Sequence, residues 1–457
     1  MSLIFVNILF FITSITLVFV APEQYSYEFC VLTALLFVAQ NLIYFIFRRD
    51  KNIVCFESLF AIAFGLTNFI YPIFYFPTSN RDFSVFNMGF NENIISYATA
   101  VAFLGYSAYL LFLSFSEIKS MIKLSTLKEK ETNIPKEQIN YNRLIIQIFI
   151  LLIVSFAGYM LSGGYRALAS EYSGGGEVLD KGISSYFYVV AFICAVLISF
   201  LIFNKSLSVR VKWFYFALLC GIILLFLTTG SRTLPLSLAL CLIVSFNNNI
   251  KRISLLQFSF LLCLGTVMMT LIVLTRSETS SKIDSLQEVE IESAWDLASD
   301  LVINNRNLYT LIDHAETSGY SYGFTMLGGL LAPIPFAAST FVSQADVPVE
   351  FISSAGYSTY LDLGTGSAWG LGTNLVSDAY LAFGIFGVIF FFGILGYFVG
   401  KSKYLMDHSI YWNVCYYVFV SYAVFLVRGG FFDCFRYLVW GVVIVYVITF
   451  AKKKLKA

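Results

Sequence analysis

The chain has 457 residues, of which 58% are hydrophobic and only 12% charged, with a formal net charge of +1. Soluble domains carry about 25% charged residues, so this composition excludes an ordinary water-soluble enzyme, and the near-zero charge gives no electrostatic case for nucleic acid. It predicts an all-α polytopic membrane protein, because lipid supplies no hydrogen-bond partners and a helix of about 20 apolar residues crosses the hydrocarbon.

In chain order, apolar runs near 2–20, 29–47, 53–76, 94–116, 144–162, 184–204, 213–230, 233–247, 254–275, 377–399, 411–427 and 437–451 predict about twelve spans. The first run has no basic leader and no small-residue cleavage site, and it reads as a retained span. The turn Gly230-Ser231-Arg232 separates the seventh run from the eighth, with Pro235 near the start of the latter. Lys and Arg stay on the cytoplasmic side of membrane proteins. Counting from a cytoplasmic N-terminus places 20 of the 29 basic residues in short inside loops and leaves 9 basic and 21 acidic residues outside. Both termini are therefore expected to be cytoplasmic. The eight cysteines fall in or beside apolar runs without metal-ligand spacing and read as small buried hydrophobes.

Residues 276–376 form a long outside segment between the ninth and tenth spans, inserted into a single integral membrane domain covering 1–457. Acidic and apolar positions alternate at helical spacing over 284–318, which predicts surface helices. The stretch from Gly323 to Val342 is apolar but broken by Pro333 and Pro335, as a re-entrant or interfacial segment would be. The segment reads as a periplasmic lid over a membrane cavity, with a passive extracytoplasmic domain as the alternative.

Arginines on the outer side oppose the positive-inside bias and invite a reason. They include Arg166 after Gly163-Gly164-Tyr165, Arg232 in the tight turn, Arg276 closing the ninth span and Arg306 in the lid. Arg428 and Arg436 bracket Gly429-Gly430-Phe431-Phe432-Asp433. A guanidinium fork matches phosphate oxygens in pairs, so these six are candidate ligands for a multiply charged anion. Snorkelling, or pairing with neighbours such as Asp433, is the plainer explanation. Asp378, opening the tenth span, is a candidate general base or simply a helix cap. His314, in Asp313-His314-Ala315-Glu316, is a candidate base or a solvated lid histidine. Glu57, inside the third span, is expected to face the bundle and be paired. No motif supports a nucleotide or metal cofactor.

Several short patches together resemble the Wzy family of O-antigen and repeat-unit polymerases. They are Thr228-Thr229-Gly230-Ser231-Arg232, Arg306-Asn307-Leu308-Tyr309, Gly328-Gly329-Leu330-Leu331-Ala332-Pro333-Ile334-Pro335, Asp378-Ala379-Tyr380-Leu381-Ala382-Phe383-Gly384-Ile385-Phe386-Gly387 and Arg428-Gly429-Gly430. The resemblance implies a GT-C-like, metal-independent glycosyltransferase of the bacterial inner membrane. It would join undecaprenyl-diphosphate-linked oligosaccharide units at the periplasmic face, with a chain-length regulator as partner. An O-antigen ligase shares the long loop and the arginines. A lipid-linked oligosaccharide flippase shares the span number, although the chain shows no repeated halves. A non-catalytic scaffold predicts dispensable outer arginines.

Overall fold

The computed structural model describes residues 2–48, 50–78, 89–130, 140–164, 182–204, 207–228, 233–274, 299–367 and 370–454. All regular structure among them is helical. The apolar helices are α1 (Ser2–Phe19), α2 (Tyr27–Phe47), α3 (Phe56–Ile70), α4 (Ile95–Lys130), α5 (Tyr141–Tyr159), α6 (Ile183–Leu201), α7 (Val209–Thr228), α8 (Thr233–Asn249) and α9 (Leu255–Leu274). Shorter helices follow, chiefly α10 (Asn305–Ser318), α11 (Ala337–Ala345) and α12 (Ser354–Leu363). The chain then returns to the bundle with α13 (Leu375–Leu405), α14 (Ile410–Tyr422) and α15 (Phe435–Lys454). Among the described residues, seven helices are long and apolar enough to cross a membrane, and four shorter apolar ones accompany them. The protein is thus a polytopic helical membrane protein.

The centre of the bundle is the pairing of α4 with α13. Small residues make it possible: a side chain at Gly396 would meet the Tyr109 carbonyl at 2.1 Å, and one at Gly400 would meet Ser116 at 3.0 Å. Close backbone approach of this kind replaces the hydrophobic drive that lipid does not provide. Outward faces stay apolar, with Phe386 83% exposed and Leu256 82% exposed. Of the eight free cysteines, Cys263 is exposed while Cys30, Cys55, Cys194, Cys241 and Cys434 are buried.

One end of the bundle is held by buried charge and amides. Glu57 of α3 is paired as expected, accepting from Lys403 Nζ at 2.8 Å, while Asp50 stands 3.4 Å from the same nitrogen. Tyr44 donates to Glu117 at 3.0 Å, tying α2 to α4. Asn247 and Asn248 of α8 exchange hydrogen bonds with Asn52 at 2.6 and 2.7 Å. Asp50, Asn52, Asn247, Asn248 and Lys403 border a polar hollow of about 500 Å³ that also takes in Lys251, Arg252 and Asp407.

The opposite end is covered by residues 299–374. Asn305 donates to the Thr67 carbonyl at the far end of α3, and Asn374 donates to Asn68 beside it. Trp440 of α15 donates to the Pro333 carbonyl at 2.7 Å, and the Phe336 amide donates to Tyr186 of α6, also at 2.7 Å. The proline-broken stretch therefore lies across the ends of α6 and α15. Its backbone is strained there: Tyr322, Phe336 and Asp346 have φ of 49°, 62° and 50°. Left-handed backbone costs a non-glycine residue about 1 kcal/mol or more, and surrounding contacts must hold it in place.

Candidate active site

The site is built where α13 begins under this cap. Asn374 caps α13 by accepting the Val376 amide at 2.9 Å, and Asp378 occupies the first turn, 1% exposed. Its Oδ2 accepts the Phe431 amide at 2.7 Å, whereas its Oδ1 is buried with no hydrogen-bond partner. The Ser354 hydroxyl, at the start of α12, acts on the same carboxylate as a hydrogen-bond donor. A buried carboxylate oxygen without a donor is costly. Asp378 is thus more than a helix cap, since its side chain turns away from its own helix toward the 428–433 turn.

That turn is shaped by Asp433. The Gly430 amide donates to Asp433 Oδ2 at 2.7 Å, directly before the amide given to Asp378. A side chain at Gly429 would meet Asp433 Oδ2 at 2.5 Å, so only glycine lets the carboxylate fold back on the loop. A methyl on Gly430 would stand 3.2 Å from Asp433 Oδ1 and 3.5 Å from Asp378 Oδ2. The two acids therefore face one another across this glycine. Asp433 is solvent-exposed. The protein atoms packed near it nevertheless push its carboxyl up to about 6, against the opposing pull of the Gly430 amide and the Arg436 charge.

Arg428 and Arg436 bracket Asp433 in sequence, and the Arg436 charge acts on its carboxylate. Arg428 closes a short 3₁₀ turn, Phe425–Arg428, and is half-buried. Arg436 sits in the first turn of α15 with its guanidinium 6.0 Å from the Tyr186 ring centre, a cation–π contact. One carboxylate, Asp433, and two arginines thus lie within nine residues of loop and helix end, joined by Asp378 from α13.

The other expected residues have different placements. Arg306 is fully buried, and its terminal nitrogens donate to both oxygens of Asp362 at 2.7 and 2.8 Å and to the Gly89 carbonyl at 3.1 Å. Its terminal nitrogens are thus engaged inside the cap as a clamp, while its buried Nε has no hydrogen-bond partner. His314 is bonded through Nε2 to the Tyr357 hydroxyl at 2.9 Å, and partial burial lowers its pKa. It is a neutral member of the cap's interior rather than a neighbour of the 430 turn. Arg166, Arg232 and Arg276 lie outside the described residues, as does the 284–298 part of the expected surface helices.

Sequence reasoning missed two acids. Asp433 was visible only as a partner for Arg436, although the Gly-Gly pair three residues before it was the signal for a folded-back carboxylate. Glu316 was visible only as a neighbour of His314. It accepts from the phenols of Tyr380 and Tyr320 and so joins the cap to α13.

A long apolar groove of about 730 Å³ completes the setting. It runs down the α4–α13 flank from Phe383 to Phe398, past Phe386, Phe390 and Phe112. Its upper end is the break in α13 at Phe383 and Gly384, where φ is −149° and +62°. The groove thus begins at the break that ends the two turns carrying Asp378.

These features define a polytopic membrane protein with an acid–arginine site at one end of its bundle, under a folded cap. The family is shown by comparison of the whole sequence: the model of the O-antigen polysaccharide polymerase Wzy family matches residues 1–456, and the chain belongs to that family. Neither the curated proteins nor the solved structures contain a match.

Proposed function

We propose that this protein joins undecaprenyl-diphosphate-linked oligosaccharide repeat units into O-antigen or a related surface polysaccharide at the periplasmic face of the inner membrane. In this reading twelve helices span the bilayer in a GT-C-like arrangement, both termini are cytoplasmic, and residues 276–376 are a periplasmic lid. The observation that carries the reading is the buried, unpartnered Oδ1 of Asp378 beside the Arg428-Gly429-Gly430 turn. An acceptor sugar hydroxyl is the donor this oxygen lacks. As the hydroxyl oxygen bonds to the anomeric carbon of the growing chain, its proton passes to Asp378 and the anomeric carbon–phosphate oxygen bond breaks. Undecaprenyl diphosphate departs with the bonding electrons, stabilised by Arg428 and Arg436 together with Arg232, Arg276 and Arg166. No metal is required for this charge balance. Asp433, whose carboxyl is raised to about 6, shares the proton across Gly430. The apolar groove below accommodates the carrier's hydrocarbon, and the cap excludes the water that would otherwise compete as acceptor.

The test is a deletion strain complemented with Asp378→Asn and examined by gel. A polymerase lesion leaves one repeat on the lipid core and no ladder. Loss of even the single repeat would instead mark a flippase or a ligase, and a normal ladder would remove Asp378 from the chemistry.

A further inference from the structure

The first two turns of α13 behave as a unit of their own. The break at Phe383–Gly384 uncouples residues 375–382 from the long helix below, so sideways bonds must orient them. Asn374 donates to Asn68 of α3 at 2.9 Å, and Asp378 takes the Phe431 amide. The Leu381 carbonyl, two residues before the break, accepts the Ser321 amide at 2.7 Å. The Tyr380 hydroxyl, 1% exposed as a residue, donates to Glu316 Oε1 at the C-terminal end of α10. Tyr320 donates to the same oxygen at 3.1 Å, and the Tyr97 hydroxyl of α4 stands 2.8 Å from that of Tyr380. The Tyr320 ring also lies against Gly384, where any side chain would come within 2.9 Å of it.

The geometry points to Glu316 as a positioning residue: gripping Tyr380 from the cap, it fixes the two-turn unit that presents Asp378 to the 428–433 turn. The inference rests on Asp378 being the proton acceptor proposed above. Glu316 acts through two phenols rather than on the reacting atoms. Its carboxylate therefore serves as a hydrogen-bond acceptor, a duty an amide oxygen also performs. Closure of the cap and alignment of the base become one event, because the residue that aligns Asp378 arrives with the cap.

The full-length protein is purified in detergent and its polymerisation of lipid-linked repeat units measured for Glu316→Ala, Glu316→Gln and Tyr380→Phe, beside thermal unfolding. Misplacing a catalytic group by about 1 Å costs up to about 100-fold. Glu316→Ala and Tyr380→Phe are expected to lower kcat by roughly 10- to 100-fold with KM within about twofold and unfolding unchanged. Glu316→Gln is expected to restore the rate to within about threefold of the parent. Full activity in Glu316→Ala overturns the inference. So does a Gln variant as slow as the Ala variant, which would make the charge itself essential, or a rate loss matched by earlier unfolding. An Asp378→Asn control separates the two claims: if it polymerises normally the base assignment falls and the inference with it. If it is inactive while Glu316→Ala is fully active, only the inference falls.

Discussion

Asp362→Ala tests how the cap is held. Arg306 has 0% side-chain exposure and donates to both Asp362 oxygens, while Asp362 itself is 14% exposed. Deleting the carboxylate leaves a fully buried guanidinium that cannot lose its proton, with the Gly89 carbonyl at 3.1 Å still accepting from it. Breaking a buried pair from one side costs about 3–5 kcal/mol, because the surviving charge is uncompensated. The loss falls on docking of the cap rather than on the apolar bundle, which keeps its own helix contacts. A shift of that size moves the docked-to-undocked ratio by roughly 10²- to 10⁴-fold. Limited trypsin digestion in detergent reads it directly, since the Arg306–Asn307 bond becomes accessible only when α10 lifts away. Cleavage is expected to accelerate in Asp362→Ala and polymer to disappear. The double variant Arg306→Leu with Asp362→Leu, which removes both charges, is expected to recover most of the resistance. Parent-like digestion and a normal ladder from Asp362→Ala would refute the clamp.

Arg428→Ala and Arg232→Ala are each expected to abolish the ladder while single repeats and protein levels persist; normal ladders from both would defeat the diphosphate assignment. The Asp433 carboxyl is raised to about 6 from its ordinary value near 4. The stability it contributes is therefore full below about pH 4 and lost as the pH rises through 6, and Asp433→Asn should flatten thermal unfolding against pH across that window. A curve unchanged by the substitution would contradict the raised carboxyl of this group. Gly384→Ala combines a φ of +62° with a contact 2.9 Å from the Tyr320 ring, and it is expected to reduce polymerisation at least tenfold; a fully active variant would show that the break in α13 is dispensable. Reporter fusions at Ser206 and Ser321 are expected to report cytoplasm and periplasm respectively, and a swap would invert the orientation.

Family and class were legible in the sequence because they depend on local quantities. Apolar run length decides whether a segment is stable in lipid, and loop charge decides which way it inserts. The patches around Arg428-Gly429-Gly430 and Asp378 stayed recognisable because each is contiguous, and the structure brings these two together through the Phe431 amide. Glu57 was likewise readable as paired, since a carboxylate in a span needs a cation, but nothing along the chain named Lys403, 346 residues away.

Only the tertiary structure decided where each arginine lies. Arg306 and Arg428 look alike in sequence, each an arginine beside small or polar residues. Folding gives Arg306 to Asp362 and sets Arg428 at the start of the turn that reaches Asp378 through the Phe431 amide. Asp433 and Glu316 gained meaning in the same way, one from a carboxylate folded against Gly429, the other from a phenol delivered by α13. Burial and hydrogen bonding are properties of a surrounding assembled from distant parts of the chain, and they fix the chemistry that composition and periodicity leave open.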